Sequence, residues 1–170
     1  MEELWRSIVG ELTPAQSAAV LSCAASSALG VGLRTVRRAG PLRGAVMGFQ
    51  AFDLVGGLVA FQWPGTRSKY AGGTGRGRLA FPVLHVQPYS VPLAGEGSWT
   101  VAAGRHLAAV ASTAALDQIE MEPQRRRATA NLVAAGLSLC DLAVTDSRQR
   151  WFGPVYLFKV VGGHASLMPG

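Results

Sequence analysis

The chain has little charge and no long polar stretch. Only 15% of its 170 residues are Asp, Glu, Lys or Arg, against 49% hydrophobic residues, and the mean hydropathy is +0.23. Soluble domains carry about 25% charged residues. The net charge is +6, and the charges that are present are clustered. This composition disfavours an ordinary soluble domain with a charged surface all round.

Familiar catalytic and metal-binding signatures are also missing. The sequence contains no GxSxG, no Walker A motif, no HExxH and no CxxC, which excludes the enzyme classes that depend on them. The two cysteines, Cys23 and Cys140, lie in apolar segments without ligand spacing, and we expect both to be buried. Three histidines are too few and too scattered for a haem or di-iron site. The sequence therefore predicts no cofactor and no metal.

No secretory signal is apparent at the N-terminus. Glu2 and Glu3 occupy the place where a signal peptide carries basic residues. The first hydrophobic segment is therefore expected to be retained.

The apolar segments predict an all-α protein, a small transmembrane helical bundle of about five helices forming one domain over residues 1–170. A short amphipathic helix, MEELWRSIVGEL, precedes them, and Thr13-Pro14-Ala15-Gln16 has the form of a capping box that begins the next helix. The third segment is expected to be broken by prolines. The five segments are Thr13–Leu33, Gly44–Trp63, Leu79–Gly95, Ser98–Met121 and Ala128–Val144.

A membrane location is favoured over a soluble bundle. Soluble amphipathic helices carry a face of Lys and Glu, and the first three segments lack one. Small residues in the first segment, Ala18, Ser22, Ser26 and Gly30, fall at four-residue spacing, a stripe that lets helices pack closely in membranes or in a soluble pair. The prediction is a multi-pass protein of the cell membrane.

Two basic clusters conflict with a simple topology. Arg34 to Arg43 and the glycine-rich stretch Arg67 to Arg78 follow consecutive segments, so they must face opposite sides if the second segment spans the bilayer. A basic cluster on the unexpected side is more plausibly functional, and we favour the glycine-rich one. Its flexible backbone and its cations are suited to bind an anion such as a lipid headgroup or a phosphate. The alternative is that the stretch is a flexible basic loop of no special function.

The candidate catalytic residues are Asp53, His85 and Asp141. Asp53 lies near the middle of an otherwise uncharged apolar run, where a membrane helix least tolerates a carboxylate. Asp141 lies on a polar face of the fifth segment, and His85 lies in the proline-broken third one. A carboxylate in an apolar setting holds a proton near neutral pH. For each aspartate, a structural ion pair with Arg105 or Lys159 is the alternative. Arg105, near the beginning of the fourth segment, could otherwise reach an interface by snorkelling.

Further polar and aromatic residues are expected to contact the substrate. They are placed either on the same helical faces as the aspartates or in the basic and aromatic stretches near the ends of the segments. These candidates are Gln50, Trp63, Arg67, Lys69, Tyr70, Arg76, Asn131 and Lys159.

About a third of the chain resembles a group of small bacterial polytopic membrane proteins. The likeness rests on Gly56-Gly57, on Thr66-Arg67-Ser68-Lys69-Tyr70, on His85 with Pro88, and on Trp151-Phe152 leading to Lys159. The resemblance implies a polytopic fold, and it implies no particular reaction.

Two functions fit these features. The first is a cofactor-independent membrane enzyme, a cyclase or isomerase that uses carboxylate and histidine acid-base chemistry on a lipophilic isoprenoid, polyketide or lipid. The second is a small homo-oligomeric, proton-coupled transporter of lipophilic cations with Asp53 as its site. The expected partners are a lipophilic small molecule and membrane lipid, with no nucleic acid.

Overall fold

A computed structural model describes residues 2–72, 75–145 and 148–168, and this part of the chain is helical and contains no strand. The predicted all-α class is confirmed. The prediction of about five helices is wrong, because segments delimited by Pro and Gly form additional short helices that apolar periodicity does not report. The helices are α1 Glu2–Val9, α2 Pro14–Ala39, α3 Pro41–Ala60, α4 Pro64–Tyr70, α5 Gly75–Leu84, α6 Ser90–Leu93, α7 Trp99–Asp117, α8 Pro123–Val144 and α9 Phe152–Leu157.

The chain divides into two compact units, Met1–Tyr70 and Ala71–Gly170. The first contains α1 to α4 and the second contains α5 to α9. The single domain predicted over residues 1–170 stays a prediction.

In the first unit, α2 and α3 form a long antiparallel hairpin. The capping box that begins α2 is present as predicted: the Gln16 amide donates to the Thr13 hydroxyl, and the Thr13 amide donates to the Gln16 side chain. The short helices α1 and α4 are joined by hydrogen bonds from Thr66 to the Val9 carbonyl and from Tyr70 to the Ile8 carbonyl.

The hairpin packs through a different stripe of small residues from the one predicted. Ala18, Ser22, Ser26 and Gly30 are exposed, and no atom lies within 4 Å of the position that a Cβ of Gly30 would take. The contact with α3 instead involves Ala24, Ala28 and Gly32, which meet Gly56, Gly48 and Gly44 respectively. The stripe is rotated because small residues occur on several faces of α2, so their spacing alone does not select one.

The second unit is built around its C-terminal helix. Helix α9 continues directly into a π-helix, Phe158–Ala165, and nearly every side chain of this run is buried between α7 and α8, including Phe152, Tyr156 and Val160. The aromatic, apolar tail therefore supplies the core of the second unit.

The prolines after residue 80 break the third apolar segment, as predicted. Pro82 lies within α5, which ends at Leu84, and the chain then forms only a 3-10 turn, Gln87–Tyr89, and the single turn of α6. Neither this segment nor α7 is among the helices long and apolar enough to cross a membrane.

Among the described residues, three helices are long and apolar enough to cross a membrane: α2, α3 and α8. Large apolar side chains on them face outward, for example Leu29 and Leu132, which are 63% and 74% exposed. Cys23 and Cys140 are exposed on these helices as well, so the expectation that they are buried is wrong. An outward apolar surface on long helices is what a bilayer would cover.

Candidate functional site

A buried ion pair joins α7 and α8 in the second unit. Arg105 Nε lies 2.5 Å from Asp141 Oδ1, and Arg105 Nη2 lies 3.0 Å from Asp141 Oδ2. The same guanidinium nitrogen donates to the Thr145 hydroxyl at 2.9 Å. Both charged residues are at most 6% exposed. A two-point contact of this kind fixes the orientation of the carboxylate.

The C-terminal helix closes one side of this ion pair. The Arg105 guanidinium lies 5.7 Å from the ring centroid of Phe152, a cation–π distance. A Cβ on Gly153 would overlap the Asp141 carboxylate and come within 2.9 Å of Arg105 Nε. Glycine at this position therefore allows α9 to approach the charged groups directly.

The other side of the ion pair borders a cavity of about 370 Å³. Its wall is mostly apolar and comes from α7, α8 and α9; besides Arg105 and Asp141 it consists of Thr100, Val101, Gly104, Ala108, Leu137, Cys140, Val144 and Leu157. Small-molecule sites have volumes of roughly 300–1,000 Å³ and apolar walls with a few polar groups. We call this space the α7–α8 cavity.

A second buried charge cluster anchors the C-terminus. Asp117 accepts from the Arg78 guanidinium, at 3.0 Å from Nε, and from Arg126. Arg78 also donates to the carbonyls of Leu167 and Met168, and Arg126 donates to that of Leu116 at 2.7 Å. Protein acceptors thus surround both guanidinium groups. This cluster is best described as a structural clamp on the chain end.

His85 lies in an aromatic stack beside that clamp. Phe81 is sandwiched between the His85 and His164 rings, with centroid distances of 3.9 and 4.0 Å. His85 Nδ1 lies 2.6 Å from the Phe81 carbonyl, and the His85 carbonyl accepts from the Tyr156 hydroxyl. Burial lowers the pKa of His164 to about 4, so its imidazole is neutral at pH 7. His85 is not among the residues that line the α7–α8 cavity.

Asp53 belongs to the first unit. It lies half-buried on α3, one turn after Gln50, whose side-chain oxygen is buried and has no hydrogen-bond partner among the described residues. Burial, and secondarily the charge of Asp53, raises the pKa of Tyr70 on α4. The structure therefore brings Asp53 into electrostatic range of one predicted binding residue, Tyr70.

The other predicted binding residues of the first unit make local contacts. Trp63 packs against a core that includes Val9 and Val20. Arg67 donates to the Gln62 carbonyl at 2.8 Å, and the Lys69 ammonium lies 5.9 Å from the Tyr70 ring.

In the second unit, the remaining predicted residues lie apart from the α7–α8 cavity wall. Arg76 is exposed on α5, Lys159 is buried on the π-helix, and Asn131 donates to the carbonyl of Arg127 on its own helix. Part of the glycine-rich stretch, Gly73 and Thr74, lies outside the described residues. Its last cation, Arg78, belongs to the buried clamp and is not free to hold an anion.

Arg105 is a functional candidate that the sequence names only as a partner for an aspartate or as a residue able to snorkel. It is 4% exposed and pairs with Asp141, so the ion pair is the arrangement present. The available signal was a lone arginine and a lone aspartate in two apolar helices, each lacking a nearby partner in sequence. Such residues are expensive to bury singly and so tend to pair.

No group of three or more His, Cys, Asp or Glu side chains within residues 2–72, 75–145 and 148–168 is arranged to hold a metal ion. The resemblance to small bacterial membrane proteins stays a prediction. Comparisons with protein-family models, with curated proteins and with solved structures found no match for this chain.

Proposed function

We propose that the chain is a multi-pass protein of the cell membrane that binds a lipophilic small molecule in the α7–α8 cavity and isomerises or cyclises it by acid-base chemistry. The observation that carries this proposal is the Arg105–Asp141 pair in the wall of a mostly apolar cavity of about 370 Å³. The apolar wall favours a substrate such as an isoprenoid, a polyketide or a lipid.

The two charged residues have complementary roles in this proposal. Asp141 is the base that takes a proton from a carbon next to a carbonyl or alkene and returns it at another carbon. Arg105 holds the carboxylate in place and stabilises negative charge that develops on a substrate oxygen. The proton is conserved over the cycle, so the reaction requires no cofactor.

The membrane location is supported by the three long apolar helices and their outward side chains. Helices α2, α3 and α8 have mean hydropathies of 1.4, 1.2 and 1.2 over their most apolar windows, of which 17%, 33% and 22% is buried within the protein. A soluble protein would expose this surface to water at high cost. With α8 embedded, the α7–α8 cavity lies within reach of molecules dissolved in the bilayer.

The test compares lipophilic extracts of cells that carry the wild-type chain or the Asp141→Asn variant. Cyclisation and isomerisation leave the molecular mass unchanged. We therefore expect a compound that is lost in the variant and replaced by an isomer of equal mass and different chromatographic retention. Removing a catalytic base lowers turnover by about 100-fold or more.

Two controls separate chemistry from folding. The double variant Arg105→Gln/Asp141→Asn removes both charges and leaves no unpaired ion, so it should fold and remain inactive. The Asp53→Asn variant alters a carboxylate outside the α7–α8 cavity wall and should retain the product. Full product formation by a folded Asp141→Asn protein would disprove the proposed role.

The transporter alternative remains distinguishable by the same variants. It assigns the essential carboxylate to Asp53 on α3, in the first unit. The wild-type transporter should bind cationic dyes in competition with protons. If Asp53→Asn abolishes this binding and Asp141→Asn leaves it intact, the transporter is supported over the enzyme.

A further inference from the structure

The turn between α2 and α3 concentrates positive charge. A single residue, Gly40, separates the two helices, and Arg34, Arg37 and Arg38 lie in the last turns of α2. Arg43 lies in the first turn of α3, and all four arginines are exposed. We call these four residues the arginine tip.

The arginine tip has no counter-charge of its own. The sequence contains no Asp or Glu between Glu11 and Asp53. Among the residues that the structure describes, no carboxylate lies within 4.0 Å of any of the four guanidinium groups. Only one of them makes a hydrogen bond to the described chain, from Arg38 Nε to the Arg34 carbonyl at 3.2 Å. The guanidinium donors are therefore directed mainly outward.

The internal stability of the helices explains only part of this arrangement. Cations near the C-terminus of α2 interact favourably with its dipole, which suits Arg37 and Arg38. Arg43 lies at the N-terminus of α3, where the dipole disfavours a cation. Its position at the same end of the hairpin as the other three is better explained by anionic groups that bind there.

The surroundings of the arginine tip are apolar. Leu33, Val36 and Leu42 are 55%, 39% and 77% exposed at the same end of the hairpin. At the opposite end, the three cations Arg6, Arg67 and Lys69 are balanced in number by the three glutamates of residues 1–11. The excess charge of the hairpin is therefore confined to one end, where it is bordered by side chains suited to a hydrocarbon boundary.

We propose that the arginine tip binds the headgroups of anionic phospholipids at the cytoplasmic face of the membrane. Guanidinium groups pair with phosphate oxygens in two-point contacts, and the adjacent leucines and valine would enter the acyl boundary. Basic residues next to spanning helices are enriched on the cytoplasmic side and are attracted to its anionic lipids. A nucleic acid would offer phosphates but would leave Leu42 against water. The inference rests on the membrane location in the proposed function.

The first experiment measures lipid retention by the purified full-length chain in detergent. Native mass spectrometry compares bound phosphatidylglycerol with phosphatidylcholine at low and high salt. We expect a preference for phosphatidylglycerol that salt weakens. Each arginine near an anionic surface contributes about fivefold, so Arg37→Gln/Arg38→Gln should reduce the preference roughly 30-fold.

Two further variants make this result specific. Arg37→Lys/Arg38→Lys keeps the charge and should retain the preference within a few fold. Arg67→Gln/Lys69→Gln removes the same two charges at the opposite end of the hairpin and should change it by less than about twofold. The proposal would be overturned if this control lost the phosphatidylglycerol preference equally or if the wild type showed no preference. It would also be overturned if inorganic phosphate or an RNA oligonucleotide displaced the bound phosphatidylglycerol.

The second experiment tests the side of the membrane. In a background with Cys23→Ser/Cys140→Ser, a Pro41→Cys variant, at the exposed first residue of α3, should react with a membrane-impermeant maleimide only in inside-out vesicles. A Ser68→Cys variant on α4 should react in intact spheroplasts. The reverse pattern of labelling would overturn the assignment to the cytoplasmic face.

A carbonate extraction separates failure of this inference from failure of the proposed function. If alkaline carbonate releases the chain from membranes, the proposed membrane location fails. If the chain stays in the membrane but shows no lipid preference, only this inference fails.

Discussion

At the scale of single residues, the site depends on how closely α9 approaches the Arg105–Asp141 pair. Gly153 is buried against both charged side chains, and its missing Cβ leaves the space that the Asp141 carboxylate occupies. The carboxylate cannot easily move away, because Arg105 holds both of its oxygens. Well-packed interiors respond to such an overlap by displacing neighbouring groups at a cost in stability.

Gly153→Ala should therefore destabilise the protein by about 1–3 kcal/mol and disturb the ion pair. Thermal unfolding in detergent measures the change as a lower melting temperature. Gly136→Ala is the matched control, because this glycine lies in the interior of α8 with no atom within 4 Å of its Cβ position. It should be neutral or stabilising by up to about 1 kcal/mol. Equal melting temperatures for the two variants would contradict the close approach described here.

At the scale of elements, the α2–α3 hairpin is held by backbone contact between small residues. A Cβ on Gly44 would overlap the Val36 side chain and lie 2.9 Å from the Gly32 carbonyl oxygen. Such close approach between helices is a common basis of association in membranes, where the hydrophobic effect does not drive helices together.

Gly44→Val should separate the two helices locally and destabilise the hairpin by more than about 1 kcal/mol. Gly30→Val is the matched control on the exposed face of α2, where the added side chain meets open space. Protease resistance and melting temperature of the purified chain should fall for Gly44→Val and stay near wild type for Gly30→Val. A larger loss for Gly30→Val would instead support the small-residue stripe expected from the spacing.

At the scale of the whole molecule, large apolar side chains are exposed on the longest helices. Leu29, Leu132 and Leu139 are each at least 63% exposed on helices long enough to cross a bilayer. Together with the low charge content, they support the proposed location of these helices in lipid.

The chain should therefore remain in the membrane pellet after extraction with alkaline carbonate and with urea, and should dissolve only in detergent. Immunoblotting of pellet and supernatant measures the partition. A peripheral protein of the same cells is the control for complete extraction. Recovery of the chain in the carbonate supernatant would show that α2, α3 and α8 do not span a bilayer.

Several local features follow from the sequence because they depend on near neighbours. The capping box at Thr13, the helical class and the break in the helix near Pro88 are set by residues within one or two turns of each other. The sequence also singles out Asp141 as a candidate, since a carboxylate in an apolar segment stands out by itself. The number of helices does not follow from the sequence, because short helices between prolines and glycines carry no periodic pattern.

Which polar residues meet was decided only by the tertiary structure. Asp141 pairs with Arg105, which lies 36 residues earlier on another helix, and Asp53 belongs to a different unit from both His85 and Asp141. Helical periodicity determines which side chains share a face, but it does not determine which face packs against which. That choice depends on shape. The missing Cβ of Gly153 leaves space for the Asp141 carboxylate, and the missing Cβ of Gly44 lets α2 pack closely against α3. No local pattern in the sequence indicates contacts between residues so far apart in the chain. The sequence alone determined the helical class, the capping box at Thr13 and where charge is scarce, while long-range packing decided where the charges meet.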